Sequence, residues 1–85
     1  MRITISPTPF DPAVGYTIEV SEGMPPYAFD PLPEPPNPPG VTIQVNGNTA
    51  TVQVPPGTPP GTPVHVDVTD ASAPPQTAPT VSTVA

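Results

Sequence analysis

Residues 41–54 read VTIQVNGNTATVQV, two alternating apolar and polar runs around an Asn46-Gly47 pair. A period of two places Val41, Ile43 and Val45 on one face of a strand, and Ala50 and Val52 on one face of the next. Asn-Gly between such runs is the strongest short-range hairpin signal, because both residues tolerate a positive φ. A two-residue type I′ turn at Asn46 and Gly47 pairs Val45 with Asn48, Ile43 with Ala50 and Val41 with Val52, so that apolar residues face apolar ones. A slip by one residue sets Ile43 against Thr51 and turns half of the apolar set to solvent. The middle of the chain is therefore an antiparallel β-hairpin.

The same period recurs on both sides of it. Upstream, RITIS at residues 2–6 sets Ile3 and Ile5 opposite Arg2, Thr4 and Ser6, and VGYTIEV sets Val14, Tyr16, Ile18 and Val20 opposite Gly15, Thr17 and Glu19. Between these two runs, PTPFDP interrupts the ladder, since each proline lacks a donor and restrains the residue before it. Downstream, PVHVDVTD turns Val64, Val66 and Val68 inward and His65, Asp67 and Thr69 outward. PPGTPPGT, with an echo too brief for a structural repeat, is a turn-rich connection. The last residues, ASAPPQTAPTVSTVA, are small and polar, and Val81 and Val84 do not share an alternating face, so this segment reads as an edge strand or an extended arm. No window carries an i, i+3, i+4 apolar pattern, and prolines break every helix-length stretch, so no helix is expected. Six to seven short strands at about ten-residue spacing describe a small all-β, antiparallel sandwich with proline-rich loops.

Composition pulls the other way. The chain holds 19 prolines and 6 glycines in 85 residues, a share common in aperiodic disordered chains. Disorder, however, goes with high charge and few β-branched residues, whereas here charge is sparse and valine and threonine abound. The stretch EGMPPYAFDPLPEPPNPPG, residues 22–40, resolves into parts once strands flank it. Pro26 to Asp30 begins a strand with Tyr27 and Phe29 on one side, aimed at the core, and Pro31 to Gly40 is a stiff loop at a sandwich end. Prolines compatible with the fold restrict the unfolded chain, and they shield sheet edges from foreign strands.

Seven carboxylates face one cation, Arg2, for a formal charge of −6. Phosphate backbones and anionic bilayers are bound through Lys and Arg, so neither nucleic acid nor membrane is an expected partner. There is no cysteine, hence no disulfide framework and no thiolate metal site. His65 is the only histidine and has no triad around it, so a surface role is expected and no catalytic residue is assigned. Asp67 and Asp70, joined by Asp30 or Glu22 if loops cluster, make calcium thinkable, but no D-x-D-x-D-G loop is present, and no metal or cofactor is expected. PLPEPP has P-x-x-P spacing without the basic residue that such ligands add.

Two stretches carry a resemblance. EGMPPYAFD resembles the G-x-P-P-Y-x-aromatic segment of bacterial immunoglobulin-like repeats such as the SprB and PKD-like modules, at Gly23, Pro25, Pro26, Tyr27 and Phe29. PPGTPVHVDVTDASA is similar to their later G-T-x-V-x-V-T-D strand, at Gly61, Thr62, Val66, Val68, Thr69 and Asp70, and PPGVTIQVNGNTATV resembles a mid-domain hairpin of such domains. The resemblance spans roughly residues 14–72. The family's usual tryptophan after P-P-Y is absent. It implies an immunoglobulin-like sandwich over residues 1–72, with residues 73–85 as a polar, proline-containing arm or edge strand, and a spacer, adhesive or virion-surface role without catalytic residues.

The expected function is thus a non-enzymatic structural or interaction protein, most concretely a bacteriophage capsid-decoration or minor virion protein. The sequence starts at Met1 without a signal-like apolar run, which fits a particle released by lysis. The alternative is a module of a secreted adhesin or carbohydrate-binding surface protein. The expected contact surface is the loop residues Pro31, Leu32, Pro33, Pro35, Pro36, Asn37, Pro38 and Pro39, facing a capsid protein, another virion protein or a second copy of the chain, with carbohydrate as the alternative ligand.

Overall fold

A computed structural model describes residues 1–33 and 37–85 as seven strands, without a helix among them. They are β1 (Arg2–Ser6), β2 (Tyr16–Ser21), β3 (Ala28–Pro31), β4 (Thr42–Asn46), β5 (Thr49–Gln53), β6 (Pro63–Thr69) and β7 (Thr77–Thr83). Two antiparallel sheets result, one in the order β1-β2-β5-β4 and the other β3-β6-β7. Tyr16, Ile18, Val20, Ala50 and Val52 of the first sheet and Phe29, Val64, Val66 and Val68 of the second form one buried cluster. The β-branched residues at every second position of β2, β5 and β6 thus fill the space between the sheets from both sides.

The hairpin has the expected strands and faces but a different register. Asn46 pairs with Thr49, Val45 with Ala50 and Ile43 with Val52, so the two-residue turn is Gly47-Asn48 rather than Asn46-Gly47. Gly47 has φ 63° while Asn48 is not in the left-handed region, the pattern of a type II′ turn instead of I′. A shift of two positions keeps every side chain on its face, so alternation does not discriminate the two registers. Asn48 does: its carbonyl accepts from the Val20 N–H and its side-chain Nδ2 donates to the Val20 carbonyl, both at 2.9 Å. The turn asparagine is the last rung between β5 and β2.

Val14 departs from its expected place and is 64% exposed. The Asp11 carbonyl accepts from both the Val14 and Gly15 N–H groups, and Asp11 Oδ1 accepts from the Ala13 N–H, which makes a tight turn of residues 11–15. Gly15, at φ 84°, then redirects the chain, and the alternation starts only at Tyr16. A Cβ at Gly15 would run into the Val52 carbonyl oxygen and lie 2.9 Å from Gln53 Cγ.

The chain between β1 and β2 changes sheets. Phe10 bridges to Val84 in parallel, its N–H donating to the Thr83 carbonyl and its carbonyl accepting from the Ala85 N–H. Its ring, fully buried, lies 4.7 Å from that of Tyr16. The C-terminal segment is the edge strand β7, and its inward positions are Thr80, Ser82 and Val84, with Val81 outside. Thr80 Oγ1 donates to the Val66 carbonyl at 2.7 Å, which satisfies a hydroxyl in the core.

Two measurements test this packing. Gly15→Ala should cost about 2–3 kcal/mol in chemical denaturation, from the left-handed backbone and the clash together. Gly57→Ala, where a Cβ meets nothing, should stay within about 0.5 kcal/mol of the parent. The Tyr16 hydroxyl is buried without a hydrogen-bond partner, and burial pushes its pKa from 10.0 up to about 12. Ionisation is therefore opposed in the folded chain: this contribution is whole below pH 10 and lost as pH rises through about 12. Tyr16→Phe should leave stability at neutral pH unchanged or raise it by up to about 1 kcal/mol, and should flatten the alkaline limb of a melting-temperature profile.

Candidate interaction surface

Antiparallel pairing sorts the loops into two poles. The connections 7–15 and 54–62, residues 32–33 and 37–41, and the C-terminus lie at one end, and the connections 22–27, 47–48 and 70–76 and the N-terminus at the other. Ten of the 19 prolines lie among the described residues of the first pole. Gly61 and Thr62 exchange hydrogen bonds with Val84 there, and Phe10 closes it from the opposite side.

The loop after β3 is held by one side chain. Beyond Pro31 the Leu32 N–H still donates to the His65 carbonyl. Asn37 takes over: its Oδ1 accepts from the His65 N–H at 2.7 Å and its Nδ2 donates to the His65 carbonyl at 2.9 Å. A carboxamide thus stands in for a strand peptide on β6. Asn37 is only 3% exposed, so the expectation that it belongs to the exposed contact surface is corrected. Pro31, Pro33 and Pro39 are exposed, Leu32 and Pro38 are half-buried, and Pro35 and Pro36 lie outside the described residues.

The PPGT echo has a structural meaning that brevity concealed. In Pro55–Thr58 and again in Pro59–Thr62, the threonine N–H and its hydroxyl both donate to the carbonyl of the first proline. Each tetrapeptide is a capped β-turn with proline at its second position and glycine at its third. Gly40, at φ 79°, abuts Pro55, whose Cγ would sit 2.7 Å from a Cβ at that position. The two loops meet in a shallow, open groove of about 190 Å³ lined by Pro38, Pro39, Pro55, Gly57, Thr58 and Pro59. Its walls are apolar, uncharged and stiff. The groove is smaller than pockets that enclose a drug-sized ligand.

The opposite pole is organised by Asp70. Its Oδ1 accepts from Ser72 Oγ at 2.6 Å, the Gln76 N–H at 2.8 Å and the Ser72 N–H at 3.2 Å, while the Ala71 N–H donates to the Met24 carbonyl. The aspartate weighed above as a calcium ligand is occupied as a turn anchor. Asp30 and Asp67 stand opposite each other on β3 and β6, with His65 two positions from Asp67. Among the described residues, no three His, Asp or Glu side chains converge in a way that could hold a metal ion. Phe29 is buried and Tyr27 half-buried against the core, so neither presents a stacking face. Among the described residues, no helix is long and apolar enough to cross a membrane. No protein-family description, curated protein or solved structure matches the chain.

The Ser72 hydroxyl above all, together with the Gln76 N–H, lowers the Asp70 pKa from 3.8 to about 2. A depressed carboxylate pKa stabilises the fold above the unfolded value, and that contribution is lost as pH falls from 3.8 through about 2. Asp70→Asn should therefore lower the melting temperature at pH 7 and remove part of its acid dependence in that window, as followed by circular dichroism.

Proposed function

We propose that the chain is an immunoglobulin-like interaction module without a catalytic role, acting as a decoration or minor structural protein of a bacteriophage particle. The observation that carries the fold part is strand order. The order β1-β2-β5-β4 against β3-β6-β7 is like the A-B-E-D and C-F-G order of constant-type immunoglobulin sandwiches, which supports this reading. Fold alone does not give function, so the interaction part rests on the proline pole. Asn37 and the two PPGT turns fix its loops in advance, so a partner docking there orders little that is mobile, which favours binding through a modest surface. The partner this favours is a protein with small apolar side chains to set against the groove, such as a capsid subunit.

A second reading, a module of a secreted adhesin, is favoured by one observation: the chain enters at one pole and leaves at the other of a body 40 Å long and 22 by 17 Å across, the geometry of beads on a string. Binding sugar by aromatic stacking has less support, since Phe10, Tyr16 and Phe29 are buried and Tyr27 packs on the core. Mass spectrometry of purified virions from the host strain decides between these readings. The chain should be detected in stoichiometric amounts, and virions that lack it would overturn the phage assignment.

A further inference from the structure

We propose that β4 is a self-association edge, at which two copies of the chain pair antiparallel around Ile43 into one continuous eight-stranded sheet. The argument begins with hydrogen-bond direction. Asn48 bonds β2 through its backbone carbonyl, so by alternation Ala50 and Val52 also face β2, and Thr49, Thr51 and Gln53 face β4. Their partners Asn46, Gln44 and Thr42 are thereby engaged, which leaves the N–H and C=O groups of Ile43 and Val45, with Val41 just before the strand, directed outward. Among the described residues, no further backbone bond reaches any of these groups.

The other edges are guarded. In β7 the alternation directs Pro79 outward, where its missing N–H costs no ladder bond and blocks an added strand. Phe10 covers the end of the same edge. β3 is four residues long and ends in Pro31. β1 carries Arg2, offers only Ile3 and Ile5 outward, and is followed by Pro7. β4 has no proline, no charge and no bulge, and these are the devices that keep edges from pairing.

The apolar face of β4 is also incompletely covered, because a three-stranded sheet lies against a four-stranded one. Val45 belongs to the inward set with Ile43, yet it is 51% exposed. Charge selects a second copy as the occupant. A chain of net charge −6 with one cation repels itself over most of its surface, but residues 41–64 contain no Asp, Glu, Lys or Arg. A two-fold axis at Ile43 sets Ile43 against Ile43 and each Val41 against a Val45, so that all three outward residues of each copy exchange main-chain bonds while their side chains meet apolar partners. The inference concerns the edge alone and holds whether the chain works on a virion or elsewhere.

Sedimentation equilibrium and cysteine cross-linking test it together. The parent should sediment at twice 8.7 kDa, and Val45→Lys, at an exposed position, should sediment as a monomer with an unchanged circular dichroism spectrum. The chain has no cysteine of its own, so Ile43→Cys should form a disulfide-linked dimer under mild oxidation and Val45→Cys should not, as only residue 43 meets its own copy. A parent that stays monomeric at its highest soluble concentration, a Val45→Lys dimer as tight as the parent, or equal cross-linking at both positions would overturn the proposal.

Discussion

The fold depends on the contact between the inner faces of β2 and β5 on one side and β6 on the other. Tyr16, Ile18, Val20, Ala50 and Val52 meet Val64, Val66 and Val68, and these eight residues are essentially inaccessible to water. Burial of each of the larger ones contributes roughly 1.5–3 kcal/mol, against about 1–2 kcal/mol per residue for ordering the backbone. With so thin an apolar layer the chain has little to spare. Its remaining features reduce the cost of order: prolines restrict the loops, Asn37 and Asp70 fix the loops at the two poles, and Phe10 ties the first segment to the last.

Charge and edge protection follow from the same economy. A surface with seven carboxylates and one cation resists non-specific association, and Pro31, Pro63 and Pro79 sit at the start, end or outward face of strands of the second sheet. The first sheet has no proline in any strand. The edge of β4 is thus the place where the backbone remains able to pair, and the proline pole is the place where a preformed apolar surface is offered. The open edge and the apolar groove lie at different places on one small body.

Much of the fold was legible because strand burial has a period that side chains reveal. β1, β2, β4, β5 and β6 and their inward faces follow from apolar residues, mostly Ile and Val, alternating with polar ones. The alternation runs through Val14, but Asp11 and Gly15 shape a turn there that periodicity does not register. Sequence alone does not decide between strand and arm for β7, because its inward residues include Thr80 and Ser82, whose burial depends on what lies above them and, for Thr80, on a carbonyl of β6. The buried place of Asn37 is not legible in the sequence. An asparagine among prolines signals a turn, and only the nearby His65 peptide makes it a strand surrogate.

Sequence by itself determined the class of structure, the hairpin, the faces of the strands and the absence of cationic surface, because these depend on residue type and local spacing. Tertiary structure decided the hairpin register, the roles of Asn37, Asn48 and Asp70, the meeting of Pro38 and Pro39 with the PPGT turns, and which edge of which sheet remains open. Apart from Asp70, whose carboxylate binds Ser72 and Gln76 nearby in the chain, these are set by groups far apart in the chain. A hydrogen bond between Asn48 and Val20, or between Asn37 and His65, spans 28 residues, and no local pattern encodes which distant carbonyl a carboxamide will meet.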